Sequence, residues 1–548
     1  MTQAPNKRWR GTSDHNVTET AYDAIKCKLS AAKLGYFEDP FLHYFVARPT
    51  RRLPLIHRGY YLRHVAMTRC IELFLTQFKT STHINIVSLG AGFDTLFFRL
   101  LHQRSFAGHI AFAEVDCDAI VCVKTKLLND DNVRVGLFPN NLKNLVIATP
   151  VHSNVSWQCH VPSASYSLIA CDLGDTQLFD TTFTATGADR SVPTLILAEC
   201  VVSYLAPEHG TELLQYLSTT FSRGSIVLYD PIALKASDKD DSEAFSSTLQ
   251  DYFAIKGCTL RGVREFQTAV DHARRFLASA QWQNCRILDM NSVFATCTTI
   301  EEKRRITSLE PFDEFADWVL CNAHYALILA DNRKCDDKGE QEWTNAFVPS
   351  THQHRYLLTG TCIRLSKASD NVIIRAFQPE DLAAVRAVFE ITHLEFGKDS
   401  RAVRQFVANR LRGPCGDMFD VTQAFQTPTS AGIQISGFWV AEWNQKVVGC
   451  VGVKPLNRSS ITQDDEWSAE LCRLSVTQAV RRRGVATALI KGAETFAVSC
   501  GAFDKICLET IGTMKGSQQL YCSLGYVEQL DRQKQHSSFN LVCFHKTL

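Results

Sequence analysis

A glycine turn and three acids are the residues of this chain whose types and spacing could do chemistry together. The run Ile84-Asn85-Ile86-Val87-Ser88-Leu89-Gly90-Ala91-Gly92-Phe93-Asp94-Thr95 reads as a buried strand, a tight turn and the start of a helix. Glycines there let the backbone approach a ligand closely, and the helix N-terminus favours an anionic group. Asp116 follows the next strand-like run, Ile110 to Val115, where a carboxylate can accept both hydrogen bonds of a ribose diol. Asp172 and Glu199 end two further runs, Ser167–Asp172 and Thr194–Glu199. In an open parallel sheet the carboxyl ends of the strands line one crevice, so the three acids can converge on one nucleoside ligand. Each acid alone would equally serve as a helix cap or a surface turn.

These residues need a frame. Up to about residue 335 short apolar strands, including Ser225–Tyr229, alternate with amphipathic helices, which predicts a mostly parallel sheet covered by helices. Residues 336–370 open in a polar, aperiodic stretch and read as a linker, and a new apolar pattern starts near Val372. At 548 residues the chain is too long for one core. The expected division is 1–335, a linker over 336–370, and 371–548. No repeat with solenoid or propeller spacing is visible.

Composition narrows the setting. With 45% hydrophobic and 21% charged residues the chain is of ordinary globular type, not disordered. A formal net charge of +1 gives no global pull toward nucleic acid or an anionic membrane. Residues 1–70 nevertheless carry 12 Lys/Arg against 5 Asp/Glu, a basic region that suits an anionic partner or simply a solvated surface. The 20 cysteines show no Cys-x-x-Cys pair, so no metal site and no secreted disulfide framework is expected. The first residues lack the apolar core of a signal peptide, and no apolar run is long enough to span a bilayer. A reduced cytoplasmic or nuclear setting, away from membranes, is the expectation.

Longer motifs carry a resemblance. Lys28-Leu29-Ser30-Ala31-Ala32-Lys33-Leu34-Gly35-Tyr36-Phe37-Glu38-Asp39-Pro40, Arg58-Gly59-Tyr60-Tyr61-Leu62-Arg63, Leu89 to Thr95, Glu114-Val115-Asp116 and Ala198-Glu199-Cys200 resemble the leucine carboxyl methyltransferase family. The resemblance spans nearly the whole first region and implies a Rossmann-like fold that uses S-adenosylmethionine (SAM) to methylate carboxylates. It implies SAM contacts at Lys28, Arg63, Gly90, Asp116, Asp172, Leu173 and Glu199. The residue types agree: Lys28 and Arg63 can pair with the cofactor carboxylate, Asp116 suits its ribose, Asp172 its adenine amino group and Glu199 its amine. A substrate carboxylate is ionised at neutral pH, so alignment matters more than a base, and Arg63, Tyr204 and Tyr229 are the candidates to orient it.

One branch of that family methylates the C-terminal leucine of protein phosphatase 2A; the other acts on a wybutosine precursor in phenylalanine tRNA. Arg52-Leu53-Pro54-Leu55-Ile56-His57-Arg58-Gly59-Tyr60-Tyr61, Glu310-Pro311-Phe312-Asp313-Glu314-Phe315 and Ala323-His324-Tyr325 are similar to the tRNA branch. That branch usually carries kelch repeats after this domain, and a different pattern follows here.

In the last region Val440–Glu442 and Val447–Val453 read as a hairpin turning at Asn444-Gln445. Glu470 to Val476 reads as a strand, and Arg481-Arg482-Arg483-Gly484-Val485-Ala486 opens a helix running from Thr487 to about Cys500. A glycine turn opening a helix offers backbone N–H groups to a pyrophosphate. Arg481, Gly484 and Ala486 stand where the GNAT acetyltransferase signature Arg/Gln-x-x-Gly-x-Gly/Ala requires them, and Leu520 to Tyr526 resembles that family's last helix and turn. The resemblance implies an acetyl-CoA site at Leu474, Val476, Arg481, Arg482, Gly484, Val485 and Ala486. It places Tyr521 at the proton-donor position. Glu470 is a candidate base or an exposed strand-end acid, and Phe438 and Trp439 belong to an acceptor pocket that names no amine.

The expectation is therefore an α/β chain: a SAM-dependent carboxyl methyltransferase with a Rossmann-like sheet, followed by a GNAT N-acetyltransferase. Phenylalanine tRNA is the leading methyl acceptor and a phosphatase C-terminal tail the runner-up. A reading of another class is a cofactor-binding module without turnover in one half.

Overall fold

The computed structural model describes residues 13–46, 48–150, 152–232, 241–332, 358–364, 371–397, 400–412, 416–426, 435–456, 468–499, 503–536 and 539–548. The chain forms two compact units, Met1–Ala346 and Phe347–Leu548. Most of the stretch read as a linker, 336–357 and 365–370, lies outside the described residues.

The first unit opens with two long helices, α1 (Ser13–Lys33) and α2 (Pro54–Gln77). Proline at the first turn of α2 fits because that turn has no intrahelical use for its N–H. Then come β1 (His83–Leu89), α3 (Leu96–Gln103), β2 (His109–Asp116) and α4 (Asp118–Asn129). The remaining strands are β3 (Val146–Ala148), β4 (Val155–Val161), β5 (Ala164–Ala170), β6 (Thr194–Glu199), β7 (Gly224–Pro231), β8 (Asn284–Asp289) and β9 (Tyr325–Asp331). Strands β5, β2, β1, β6 and β7 pair in parallel in that order. Antiparallel β9 and β8 extend one side, and antiparallel β4 and β3 extend the other. Ile84, Ile86, Val87 and Leu89 of β1 are all buried, the near-continuous apolar run of a strand covered on both faces.

Two boundaries differ from the sequence reading. Strand β5 begins at Ala164 and ends at Ala170, because its register against β2 starts at Ile110↔Ala164. Asp172 is consequently past the strand, not at its tip. The edge strands β3 and β4 and the closing pair β8 and β9 lay outside the expected strand set.

The second unit contains β10 (Leu358–Arg364), β11 (Asn371–Ala376), β12 (Gly437–Trp443), β13 (Lys446–Pro455), β14 (Ser468–Val476), β15 (Lys505–Ile511), β16 (Val527–His536) and β17 (Phe539–Thr547). Strand β10 falls inside the stretch read as linker and pairs with β11, so part of that stretch is ordered sheet. Strands β10 to β14 run antiparallel in sequence order. Asn444 and Gln445 both adopt left-handed conformations (φ 49° and 59°), as a two-residue hairpin turn between β12 and β13 demands. Strand β14 meets β15 in parallel only from Ser468↔Lys505 to Glu470↔Cys507, after which they part. The core of this unit gathers Val451, Leu471, Leu489, Ile490, Ile506 and Phe544 around the helix Val485–Ser499.

Beneath the first unit's glycine turn, Lys124 of α4 is fully buried and bonds Glu114 of β2 at 2.5 Å. Tyr166 of β5 donates to the same Glu114 oxygen at 2.7 Å. Replacing Lys124→Met should leave Glu114 uncompensated and destabilise the first unit by about 3–5 kcal/mol. Urea unfolding followed on that unit's transition checks this; a shift below about 1 kcal/mol would refute it.

Candidate functional site

The strand order reverses at β1, with β2 and β5 to one side and β6 and β7 to the other, and the crevice of such a sheet lies at the carboxyl ends there. Gly90 and Gly92 form the turn after β1 with φ of 56° and 55°. A Cβ on Gly90 would come within 2.5 Å of Val201, so only glycine fits. Asp116, at the tip of β2, accepts Gly92 N–H and Cys117 N–H, each at 2.7 Å. Burial pushes its carboxyl above the ordinary value, and the two N–H groups pull it back.

Two cations enter from the helices. Lys28 of α1 pairs with Asp94 at 2.9 Å, and Asp94 also accepts Thr95 and Leu96 N–H at the start of α3. Against its own burial, the Asp94 carboxyl is held far below the usual range by Lys28 and Arg99. Arg63 of α2 pairs through Nε with Glu199 at the tip of β6, and its Nη2 lies 3.4 Å from the Glu199 carbonyl. Cys200 takes a left-handed φ of 55° immediately after Glu199 and turns the chain out of the sheet.

Aromatic side chains flank Arg63. Its guanidinium stands 5.8 Å from the ring centre of Tyr60 and 5.0 Å from that of Tyr229. Tyr229 stacks on Tyr325 of β9 at 5.2 Å. Tyr204 occupies the short turn Val202–Tyr204 and meets Phe253 edge-on. Burial raises all four phenols, so each presents a neutral hydroxyl.

Lys28, Arg63, Gly90, Asp116, Glu199, Tyr204 and Tyr229 thus stand at or near the carboxyl ends of the parallel strands and the two helices beside them. Tyr229 lies within β7, not after its end. Asp172 departs from its expected place: it is exposed, two residues beyond β5, with its carboxylate accepting Gly174 N–H at 2.9 Å. Leu173 beside it is buried. Asp94, Lys124, Tyr60 and Tyr325 were not among the sequence candidates, although Asp94 falls inside the glycine motif and Tyr325 inside a quoted one. A separate cavity of about 810 Å³ opens at the amino ends of β1 and β2, lined by His83, His109, His160 and Arg223, and contains none of these residues. Among the described residues no His/Cys/Asp/Glu cluster could hold a metal ion, and no helix is long and apolar enough to cross a membrane.

In the second unit the turn before the helix Val485–Ser499 has positive φ at Arg482 (61°) and Gly484 (86°), which curls successive N–H groups toward one side. Val485 and Ala486 begin the helix itself. Arg481 is held within the unit: its Nε donates to Val476 O at 2.8 Å and its Nη2 pairs with Glu395. Leu474 and Val476 lie on the length of β14 that β15 has left. Glu470 is the last β14 residue in register with β15, and Lys454 stands 4.0 Å from its carboxylate. Tyr521, on the helix Lys515–Ser523, is buried against Tyr526 and Phe544, and burial pushes its phenol up to about 12.

A glycine turn, an acid at the second strand tip and a doubly wound sheet give the first unit the frame of a Rossmann-like α/β domain. The leucine carboxyl methyltransferase family matches residues 16–218, and the GNAT acetyltransferase family matches residues 413–526. The "Leucine carboxyl methyltransferase 1 homolog" of Arabidopsis thaliana is 33% identical over 316 residues, covering 58% of this chain and 89% of that protein. The human "tRNA wybutosine-synthesizing protein 4" is 35% identical over 320 residues, covering 57% of this chain and 44% of that protein. This chain therefore spans less than half the length of that human relative. The chain belongs to the leucine carboxyl methyltransferase family, whose members use SAM, and carries a C-terminal GNAT domain. A GNAT acetyltransferase of Staphylococcus aureus Mu50 aligns with 32% of this chain and 99% of its own at 14% identity, with a TM-score of 0.25.

Next to the crevice, Asp230 is buried, accepts Ser203 Oγ at 3.0 Å, and is pushed by burial up to about 7. The fold therefore favours its protonated form, and that stability is lost as pH rises from the ordinary carboxyl range through about 7. The first unit's Tm should fall relative to that of Asp230→Asn over this interval and run parallel above it. Parallel melting curves across the whole range would exclude the assignment.

Proposed function

We propose that the first unit is a SAM-dependent carboxyl O-methyltransferase acting on a wybutosine precursor in phenylalanine tRNA, and that the second is an acetyl-CoA-dependent N-acetyltransferase. The observation that carries the first half is the paired Lys28 and Arg63 beside the glycine turn, with Asp116 at the next strand tip. These types fit the cofactor: two cations for a carboxylate, an acid for a ribose, and Glu199 for an amine. Asp172 keeps its Oδ2 free to accept an adenine amino group while Oδ1 holds the turn at Gly174.

SAM, when bound, supplies a methyl group on a positively charged sulfur. The substrate carboxylate is already ionised, so no residue needs to remove a proton. Arg63, supported between Tyr60 and Tyr229, can hold the incoming carboxylate, and the neutral hydroxyls of Tyr204 and Tyr229 can donate to its second oxygen. Tyr229 is buried and Tyr60 and Tyr204 are half-buried, so together they would limit water at the reacting atoms.

Support for a tRNA acceptor comes from the similarity to the human protein named above and from the basic residues of the first 70 positions. Similarity to the Arabidopsis thaliana protein supports a protein carboxyl terminus as the second reading. Purified protein should methylate precursor-bearing phenylalanine tRNA in preference to a phosphatase C-terminal peptide, with activity falling as salt rises. Preference for the peptide would establish the second reading. Asp116→Ala should weaken SAM binding by about 1.5–3 kcal/mol in calorimetry, as loss of a charged acceptor does.

Acetyl-CoA, when bound, supplies the acetyl thioester. Backbone N–H groups of Arg482 to Ala486 would receive the pyrophosphate and the parted edge of β14 the pantetheine. Tyr521, held as a neutral phenol, can return a proton to the departing thiolate, and Glu470 can accept one from the amine through water. In the full chain, Gly484→Glu should abolish acetyl-CoA binding, because φ is 86° there and a carboxylate would repel the phosphates. Tyr521→Phe should bind normally and turn over more slowly. Binding without turnover in wild type would instead favour the module reading for that half.

A further inference from the structure

Ser30, His57 and Glu310, from three separated parts of the first unit, form a continuous buried chain of hydrogen bonds. Ser30 Oγ lies 2.8 Å from His57 Nε2, and His57 Nδ1 lies 2.6 Å from Glu310 Oε2. The three residues are 5%, 0% and 4% exposed. Arg52 N–H donates to Ser30 Oγ at 3.2 Å, Tyr36 OH to Glu310 Oε2 at 3.2 Å and Arg51 Nη2 to Glu310 Oε1 at 2.9 Å. The carboxylate can only accept, so His57 donates to it from Nδ1, and its Nε2 shares a second bond with the Ser30 hydroxyl. The atom order is that of a nucleophilic triad. Ser30 is nevertheless sealed from solvent, and its oxygen already accepts a backbone N–H, so it has no route to a substrate.

The placement of the chain gives it another use. Ser30 is two residues beyond Lys28 on α1, and His57 is six residues before Arg63 on α2. These two helices bring two cations to one crevice, close enough for Arg63 to oppose the charge on Lys28. Like charges at short range push their helices apart, and Asp94, in the turn after β1, bonds Lys28 while Glu199, at the tip of β6, bonds Arg63, so neither acid ties one helix directly to the other. The Ser30–His57–Glu310 chain does join them, and a buried, fully partnered network is stiff.

We propose that Ser30, His57 and Glu310 are positioning residues: they brace α1 against α2 so that Lys28 and Arg63 keep the separation required by the carboxylate of the cofactor's amino acid end. This rests on the reading that Lys28 and Arg63 hold that end. The test uses S-adenosylhomocysteine, which has the amino acid end, and 5′-methylthioadenosine, which lacks it. Both are titrated by calorimetry into the full-length wild type and the variants Ser30→Ala, His57→Asn and Glu310→Gln. The variants should bind S-adenosylhomocysteine about ten-fold more weakly while the methylthioadenosine Kd stays within about two-fold. A merely structural lesion would weaken both ligands in parallel or only lower Tm, and either result overturns the proposal. Should His57→Asn fail to fold, Ser30→Ala, which removes a single oxygen, decides the matter. If wild type itself does not prefer S-adenosylhomocysteine, the Lys28/Arg63 reading falls and the brace with it. If wild type prefers it and the variants keep that preference, only the brace falls.

Discussion

The ammonium of Lys124 has three N–H bonds to give and three oxygens around it: Glu114 Oε2 at 2.5 Å, Asp94 O at 2.9 Å and Gly92 O at 3.3 Å. A buried charge is tolerated only when paired and hydrogen-bonded, so these partners are fixed in place as much as they are satisfied. Glu114 belongs to β2, Lys124 to α4, and the two carbonyls to the turn after β1. One ammonium thereby holds the glycine turn against the strand that ends in Asp116. From the same turn the Asp94 side chain reaches Lys28 and caps α3. The shape of the crevice follows from this pair, which is almost wholly shielded from solvent.

How much of this was legible follows from how local each feature is. The five parallel strands were readable because β1, β2, β6 and β7 are apolar over most of their length and bounded by turns. The hairpin at Asn444-Gln445 and the turn at Gly484 were readable because backbone conformations of that sort select a few residue types. Asp172 was misplaced because an acid two residues past a strand looks, in sequence, like one at its tip. The strand Leu358–Arg364 went unread because its neighbours are polar and its partner, β11, supplies the pairing. Glu114 was legible only as part of Glu114-Val115-Asp116 and Lys124 not at all, because their pairing crosses from strand to helix and leaves no local pattern. Ser30, His57 and Glu310 are as much as 280 positions apart, and no period connects them.

The two glycine turns sit in different settings. In the first, the turn after β1 is buttressed by charged side chains whose partners are all internal. In the second, Arg481 spends its charge on Val476 O and Glu395, so the cation steadies the loop. Asp417 shows the same economy: Arg473 grips it with two nitrogens, Lys454 adds a third contact, and the carboxyl is held down at about 2. An acid so fixed cannot serve as a base.

The charged side chains around the first unit's crevice are tied down by one another. Lys28 is held by Asp94 and Arg63 by Glu199, and Arg99 adds its charge to the carboxylate that Lys28 grips. Side chains locked in this way have little freedom left to lose when something charged arrives. The ordering cost of recognition has then been met during folding, and the crevice needs no rearrangement to be ready.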